Sequence, residues 1–231
     1  MRKSSLFCYV LFLLCISSPF GAKAADDEPK KFDLLGDASL RVARGQFGGG
    51  LAVWGLWNLG KSKKFSVGLG LRHSTHIGTN LEYSTAPAKF TKDEKMVDTM
   101  VLKNSSVTSF NIAIDLRYRI VKQISVGFNI DAIGFSFGAE QDGALAAEGD
   151  IYTTRAKPTL ANVLLVGDND IGTLNSELYL IYHATDKLGI KAGISHLFTE
   201  YTTDKKYIPE IDNDRYRNKS TSGVIGIQYR F

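Results

Sequence analysis

The chain has 231 residues, of which 44% are hydrophobic and 23% are charged, and its formal net charge is +4. Three basic residues and no acidic residue lie among the first 24 positions, so residues 25–231 carry a net charge of only +1. This balance excludes the strongly basic surface that nucleic-acid binding requires, and we expect no nucleic-acid partner. Beyond residue 24, no apolar run approaches the roughly 18 residues of a transmembrane helix.

The first 24 residues have the pattern of a secretory signal peptide. Arg2 and Lys3 precede the apolar run 6–16, and small residues follow up to Ala22-Lys23-Ala24. A basic start, a short apolar centre and an A-x-A site are typical of a cleaved signal, and the centre is too short to span a membrane. We therefore predict a signal peptide over residues 1–24 and a mature chain that begins at Ala25.

Both cysteines of the chain, Cys8 and Cys15, fall inside this predicted signal peptide. Leu14 stands before Cys15, where a lipoprotein signal carries a small residue, so we expect no lipid anchor. The mature chain is then predicted to contain no disulfide. The charged residues 25–31, with Pro29, indicate a periplasmic lead-in over residues 25–37, followed by one barrel domain over residues 38–231.

The first part of the barrel domain allows two interpretations. Leu40 and Val42 share one parity, whereas Phe47, Leu51 and the apolar residues after them share the other, and glycines cluster at the change. We predict two strands, at about 38–47 and 49–58, joined by a glycine-rich turn. One long strand with a bulge is the alternative, and the choice decides between eight strands and seven.

The rest of the chain predicts six further strands by apolar alternation, because every second side chain of a strand lies on the same face. They lie near residues 64–72, 109–120, 124–137, 174–183, 188–195 and 223–231. The parity slips after Asp131, which indicates a bulge or the point where the strand leaves the bilayer. The apolar run 163–166 is expected to pack over or into the barrel mouth.

The connections between these strands alternate in length. Residues 58–63, 121–123 and 185–187 are short, whereas residues 78–105, 138–170 and 202–219 are long and polar. Short periplasmic turns and long extracellular loops are typical of transmembrane barrels. The sequence predicts an all-β, antiparallel, up-and-down transmembrane β-barrel of eight strands. Aromatic girdles are expected at its two rims, one from Trp57, Phe65, Tyr118, Tyr182, Tyr229 and Phe231, the other from Phe110, Phe198 and Tyr201.

A soluble barrel with its apolar face inside is the rival interpretation. The opposite face here is rich in Gly, Ser, Asn and Ala, which suits a narrow, filled lumen better than a soluble exterior. If Arg117 faced lipid at mid-depth, it would cost about 2–4 kcal/mol. The apolar face is therefore predicted to point outward.

The predicted inward face carries charges of both signs, and buried charges must be paired. We predict a salt-bridged network that fills the lumen, with a selectivity lining for a small pore as the alternative. Its members are Arg72, Asp115, Arg117, Asp131, Glu177, Lys191 and Arg230.

Catalytic and metal-binding patterns are weak. Ser195 and His196 are neighbours on one strand and point to opposite faces, so they cannot share a proton. The acidic triplets at 168–170 and 212–214 lack the order of a calcium loop, and their residues are ordinary in turns. No catalytic residue, metal or cofactor is predicted.

The C-terminal strand resembles the last strand of outer-membrane β-barrel proteins. Ile225, Ile227, Tyr229 and the terminal Phe231 alternate with smaller or polar residues, and the resemblance implies recognition by the barrel assembly machinery. Residues 127–138 and 166–179 are also similar to a family of small outer-membrane β-barrel proteins of unassigned role. The resemblance implies a monomer in a Gram-negative outer membrane, in contact with its lipid and lipopolysaccharide. We expect a non-enzymatic surface scaffold for an unassigned extracellular ligand; a narrow pore and a lipid-modifying enzyme are the alternatives.

Overall fold

A computed structural model describes residues 30–92, 96–147, 149–165, 169–204, 206 and 213–231. The predicted signal peptide and residues 25–29 of the predicted lead-in lie outside these residues. In the described part of the chain, no helix is long and apolar enough to cross a membrane.

The described residues form one short helix, α1, and eleven strands. Their bounds are β1 Phe32–Ala43, β2 Gln46–Leu59, β3 Phe65–Thr85, α1 Ala88–Thr91, β4 Thr99–Val121, β5 Ile124–Phe137, β6 Gln141–Ala147, β7 Asp150–Pro158, β8 Ala161–Val163, β9 Leu174–His183, β10 Leu188–Thr203 and β11 Arg215–Arg230.

Eight of the eleven strands close a ring, which we call the barrel. Its order is β1-β2-β3-β4-β5-β9-β10-β11, and β11 pairs again with β1. Every pairing is antiparallel, which confirms the predicted all-β, antiparallel barrel. The first hairpin contributes two strands to this ring.

The bounds of that hairpin differ from the prediction. β1 begins at Phe32 and takes in residues 32–37, which the sequence interpretation assigned to the lead-in. The reason is that Phe32 and Leu34 share the outward parity of Leu40, whereas Asp33, Leu35 and Asp37 face inward. The turn lies at residues 44–45, where Gly45 has the positive φ of 68° that the turn needs, and the other clustered glycines, residues 48–50, belong to β2.

The predicted parity slip in β5 is confirmed as a bulge. Ile112 pairs with Ile133, but the next residue, Ala113, pairs with Asp131, so Ala132 is the extra residue. The bulge keeps Asp131 inside the barrel and turns Phe135 and Phe137 outward, where both stack beside Phe110.

Much of what the sequence suggested as long loops is strand, which corrects that prediction. β3, β4, β10 and β11 continue beyond the barrel and, with the β6–β7 hairpin, close a second ring of six strands. We call this second ring the extension. It stands on the side of the long connections.

The extension has the opposite polarity to the barrel. Its interior is an apolar core that includes Leu81, Tyr83, Met100, Leu102, Leu145, Tyr201 and Tyr216. The inward parity of β3 changes at Asn80, whose φ is 52°: His76 is buried below it, and Leu81 and Tyr83 are buried above it. Tyr201, which was predicted for an outer aromatic girdle, is fully buried in this core, so that prediction was wrong.

The long connection between β7 and β9 covers one side of the barrel mouth. β8 pairs with β5 at residues 133–135, and Asn162, rather than the apolar run 163–166, is buried there. The Asn162 amide donates to Asn111 Oδ1 at 2.8 Å, and its own oxygen accepts from Ser136 Oγ and the Thr173 N–H. Val166 lies outside the described residues.

Glycines inside the barrel make room for large rings on neighbouring strands. Gly127 pairs with Tyr179 across β5 and β9, and a Cβ on Gly127 would lie 2.4 Å from the Tyr179 ring. We expect Gly127→Ala to lower the free energy of unfolding by about 1–3 kcal/mol, because Tyr179 is buried and cannot move aside freely.

Gly223→Ala is the matched control, since a Cβ there has no neighbour within 4 Å. Both substitutions restrict the unfolded chain equally, so that effect cancels between them. Urea unfolding in lipid vesicles, followed by tryptophan fluorescence, measures the difference. Equal stability of the two variants would show that the Tyr179 ring does not pack on Gly127.

Candidate functional site

The lumen of the barrel contains the charged residues that the alternation placed on its inward face. Strand β4 contributes two of them, two positions apart, and β3, β5, β9 and β10 contribute one each. All of these side chains are buried on the inward face of their strand, so they converge inside the ring. The paired charges form two groups, with the Tyr179 ring between them.

The first group centres on Arg117. Its Nε and Nη2 donate to the two oxygens of Asp115 at 2.9 and 3.0 Å, and Nη1 donates to Gln228 Oε1 at 2.6 Å. The Tyr179 hydroxyl also donates to Asp115, at 2.7 Å. Arg117 and Asp115 are both buried, so this is a bidentate ion pair whose charges have exchanged water for protein partners.

The second group contains Arg72 and Asp131. Arg72 Nε donates to Asp131 Oδ1 at 2.8 Å, and Nη1 donates to Asn129 Oδ1 at 2.7 Å. The other Asp131 oxygen accepts from Asn111 Nδ2 at 2.8 Å and from the Asn175 backbone N–H at 2.9 Å. The carboxylate is thus bound by three strands in addition to its own.

Glu177 joins this second group to Lys191. Lys191 Nζ lies 3.1 Å from Glu177 Oε2 and 2.8 Å from Asp37 Oδ1. Arg72 Nη1 and Arg41 Nη1 approach Glu177 at 3.8 and 3.6 Å, as longer ion pairs. The ring of Tyr179 lies 5.4 Å from Lys191 Nζ and 5.6 Å from the Arg117 guanidinium carbon, so it separates the two groups.

Arg230 stands apart from the other predicted members. Its Nε lies 3.6 Å from Asp33 at the short-turn end of the lumen, and the side chain is partly exposed. Asp33 is bound more closely by Asn58, whose Nδ2 donates to it at 2.8 Å. Arg230 is therefore a residue of the rim rather than of the interior.

Besides Asp33 at the rim, sequence reasoning missed two charged members of the lumen, Asp37 and Arg41. Both lie on β1 at the inward parity of Asp33, Leu35 and Ser39, and all five are buried. The alternation of these residues with Leu34, Leu40 and Val42 was a usable signal. For Asp37 it went unused because residues 32–37 were assigned to the lead-in, whereas Arg41 lay inside the predicted first strand and was left out of the charge network.

The lumen is filled rather than open. The ion pairs above comprise five basic residues (Arg41, Arg72, Arg117, Lys191 and Arg230) and five carboxylates (Asp33, Asp37, Asp115, Asp131 and Glu177). Leu35, Trp54 and Leu56 form a small apolar cluster beside them. A vestibule enters from the short-turn end, and its lining includes Arg117 and Gln228, which bond across it.

The outer face of the barrel has the opposite character. Large apolar side chains stand exposed on every barrel strand, among them Leu51 on β2, Leu71 on β3, Leu178 on β9 and Ile225 on β11. The six side chains predicted for the lower aromatic girdle are exposed at the short-turn rim, and Phe32 joins them beside Trp57. An apolar exterior around an ion-paired interior is the arrangement that lipid requires, and it is the reverse of a soluble barrel. The fold is that of an outer-membrane β-barrel.

Comparisons with known proteins identify structures of similar architecture. No protein-family model matches the sequence, and the curated proteins contain no match. Neisserial surface protein A aligns with a TM-score of 0.40 and 8% identity, over 87% of this chain and 98% of that one. Ail, the attachment invasion locus protein of Yersinia pestis, aligns at 0.37 and 11%, over 88% and 100%. A major outer membrane protein of Thermus thermophilus aligns at 0.39 and 12%, over 87% and 100%. Similarities of this size carry no functional argument, so only the residues of the barrel itself can supply one.

The remaining predicted residues of the barrel lie on its outer wall. Ile225, Ile227, Tyr229 and Phe231, the predicted assembly signal, face outward, and the Phe231 N–H donates to Leu34 O at 3.1 Å. Their recognition by the assembly machinery stays a prediction.

Ser195 is buried and donates to Asn175 Oδ1 at 2.5 Å, whereas His196 lies outside, 3.0 Å from Thr221 Oγ1. The pair is therefore not a nucleophile and its base.

The extension contains a polar cluster that the sequence did not predict as a unit. Glu200 is fully buried and accepts from Arg215 Nε at 2.6 Å and from Arg217 Nη2 at 2.8 Å. Both arginines also donate to the Asp170 carbonyl, which ties the connection before β9 to β10 and β11. In the core of the extension, the Tyr83 and Tyr201 rings meet edge to face at 5.3 Å, and burial raises the pKa of both phenols above their usual value.

Proposed function

We propose that this protein is a non-enzymatic scaffold of the Gram-negative outer membrane, which anchors a rigid extracellular module by means of a closed barrel. The extension carries this proposal. Four barrel strands run without interruption into a second closed ring that has an apolar core of its own. A rigid module of this kind suits the presentation of a binding surface, whereas a solute channel has no need of one.

The orientation follows from the connections. The turns between β2 and β3, β4 and β5, and β9 and β10 are short, and all three lie at the end opposite the extension. Short turns face the periplasm in outer-membrane barrels, so the extension is placed outside the cell.

The ion-paired lumen supports a scaffold over a pore. Arg72, Arg117 and Lys191 each contact a carboxylate directly, and Arg117 also bonds Gln228 on the opposite strand of the ring. An eight-stranded ring leaves space for little more than its own side chains. The separation of Ser195 from His196 gives no support to the lipid-modifying alternative.

Cysteine labelling on intact cells tests the display of the extension. Ile151 on β7 is 77% exposed, and Asp186 lies exposed in the short β9–β10 turn. A membrane-impermeant maleimide is expected to label Ile151→Cys on intact cells and to label Asp186→Cys only after the outer membrane is opened.

The parent protein provides the blank, because both of its cysteines fall in the predicted signal peptide. Labelling of Asp186→Cys on intact cells, with Ile151→Cys protected, would invert the topology and refute the proposal. Protection of both sites on intact cells would show that the extension is not displayed.

A further inference from the structure

The β2–β3 turn concentrates positive charge at the short-turn end of the barrel. Three of its residues are lysines, Lys61, Lys63 and Lys64. Gly60 and Lys63 have positive φ values of 73° and 48°, and the Lys63 N–H donates to Gly60 O at 3.3 Å, so the turn is tight. Lys61 and Lys64 are exposed, and Lys63 is partly exposed. The turn therefore presents three ammonium groups to solvent from four consecutive positions.

Strand β4 adds a fourth cation beside this turn. The Arg119 N–H donates to Lys64 O at 2.8 Å, so the two residues are neighbours at the ends of β3 and β4. The Arg119 side chain is partly exposed and, like those of Lys63 and Lys64, it lines the vestibule. We call Lys61, Lys63, Lys64 and Arg119 the basic arc.

The positive charge of the basic arc is not balanced by the described residues. None of its four side chains forms an ion pair with any of them. Asp33 is the acidic residue among those that line the vestibule, and it is buried and bound by Asn58 and Arg230. The basic arc therefore has its charge available for an anion from outside the protein.

The rest of the short-turn end does not reverse this balance. The two other turns there carry Lys122 and Lys187, against one acidic side chain, Asp186. Residues 26–28 are acidic and precede β1, but they lie outside the described residues. Even when these three carboxylates and that of Phe231 are counted, basic groups outnumber acidic groups at this end.

The basic arc lies at the level where lipid headgroups meet the barrel. Lys64 directly precedes Phe65, Arg119 directly follows Tyr118, and the two aromatic residues pair across β3 and β4. Both rings are exposed on the outer wall as members of the lower aromatic girdle. Such girdles mark the membrane interface, and the long side chains of Lys and Arg beside them reach the headgroups. On the membrane side of the girdle, Leu69 is 52% exposed and offers acyl chains a surface.

The charge of the headgroup decides which lipid the basic arc prefers. Each Lys or Arg near an anionic membrane surface strengthens association about fivefold. A zwitterionic headgroup gains much less, because its own ammonium group balances its phosphate. The Arg117–Gln228 bond crosses the vestibule beside the basic arc, so the headgroup is expected to stay at the rim.

We propose that the basic arc binds the headgroup of an anionic phospholipid, whose acyl chains lie against the outer wall on the membrane side of Phe65 and Tyr118. The short turns face the periplasm in the orientation proposed above, so this lipid belongs to the periplasmic leaflet. The choice of leaflet rests on that proposed orientation, whereas the binding of the headgroup does not. A failure of the binding experiment is therefore distinguishable from a failure of the labelling experiment.

Native mass spectrometry of the folded, full-length mature protein, released from detergent, tests the basic arc. The probes are dioleoyl phosphatidylglycerol, which is anionic, and dioleoyl phosphatidylcholine, which has the same chains and no net charge. We expect the parent protein to bind phosphatidylglycerol more tightly by about tenfold or more. A variant that combines Lys61→Gln, Lys63→Gln and Lys64→Gln is expected to bind phosphatidylglycerol about 10–100-fold more weakly than the parent. All three residues lie in a solvent-accessible turn, so the variant should fold, and the folded band on unheated gels checks this.

A variant that combines Lys89→Gln, Lys103→Gln and Lys157→Gln is the matched control, because it removes the same charge from exposed positions on the side of the extension. It should bind phosphatidylglycerol within about twofold of the parent. Equal binding of the two lipids by the parent, or equal binding of phosphatidylglycerol by the two triple variants, would overturn the proposal. Millimolar inorganic phosphate, added at constant ionic strength, should leave the bound lipid in place. Displacement of the lipid by phosphate would reassign the basic arc to free anions and refute the proposal.

Discussion

Arg117→Ala is expected to lower the free energy of unfolding by about 3–5 kcal/mol, because it leaves the carboxylate of Asp115 buried without its main partner. Asp115 is fully buried on the same strand, and its two carboxylate oxygens accept from Nε and Nη2 of Arg117. Gln228 would lose a donor at the same time. Urea unfolding in lipid vesicles gives the value, and the folded band on unheated gels should vanish at a lower temperature.

Arg119→Ala is the matched control for this prediction. Arg119 lies two residues further along β4, at the half-exposed rim, and its loss should change stability by no more than about 1 kcal/mol. Asp115→Ala should destabilise as Arg117→Ala does, and the double variant should lose less than the sum of the two, because the residues share one interaction. Additive losses, or an Arg117→Ala variant as stable as the parent, would show that this pair is hydrated rather than buried.

Tyr83→Ala is expected to disrupt the extension and spare the barrel. Tyr83 is fully buried, packs on Tyr201, and lies 2.7 Å from the Ser105 hydroxyl. Removal of a buried aromatic side chain lowers the free energy of unfolding by about 3–5 kcal/mol. That is a large share of the stability that an extension of six short strands can have. Protease added to intact cells should then cut within residues 141–158, and the barrel should still migrate as a folded band.

Tyr83→Phe separates the contribution of the aromatic ring to stability from that of the hydroxyl. It keeps the packing and loses only the hydrogen bonds, so we expect a loss of about 1 kcal/mol and no new cleavage. If Tyr83→Ala resists protease like the parent, the extension does not depend on its apolar core. If Tyr83→Ala also abolishes the folded band, the two rings are one cooperative unit.

The barrel could be predicted from the sequence because outward apolar residues and inward polar residues alternate along its strands. On β4, the exposed Ile112, Ile114 and Leu116 alternate with Asn111, Asp115 and Arg117, which are all buried. A lipid-facing strand cannot exchange these faces, so inward charges such as Arg117 and Asp131 could be predicted one by one. Which inward charges meet could not be predicted, since Arg72 pairs with Asp131 across 59 positions of sequence.

The extension was missed for two physical reasons. Leu81 and Tyr83 continue the odd-numbered apolar positions of residues 65–77, but Asn80 reverses the facing of β3, so both lie inside rather than outside. In the extension the apolar side chains lie inside the ring and the polar side chains lie outside, the reverse of the barrel. Short apolar stretches between charged residues then resemble loops in the sequence.

Single-channel recording in planar bilayers tests the central claim most directly, namely that the ion-paired lumen closes the barrel. The parent protein is expected to insert without stepwise conductance, because Arg117 bonds Gln228 on the opposite strand of the ring and the buried Arg72 pairs with Asp131 inside the lumen. Reproducible conductance steps from the folded parent protein would contradict the account and make a narrow pore the better description.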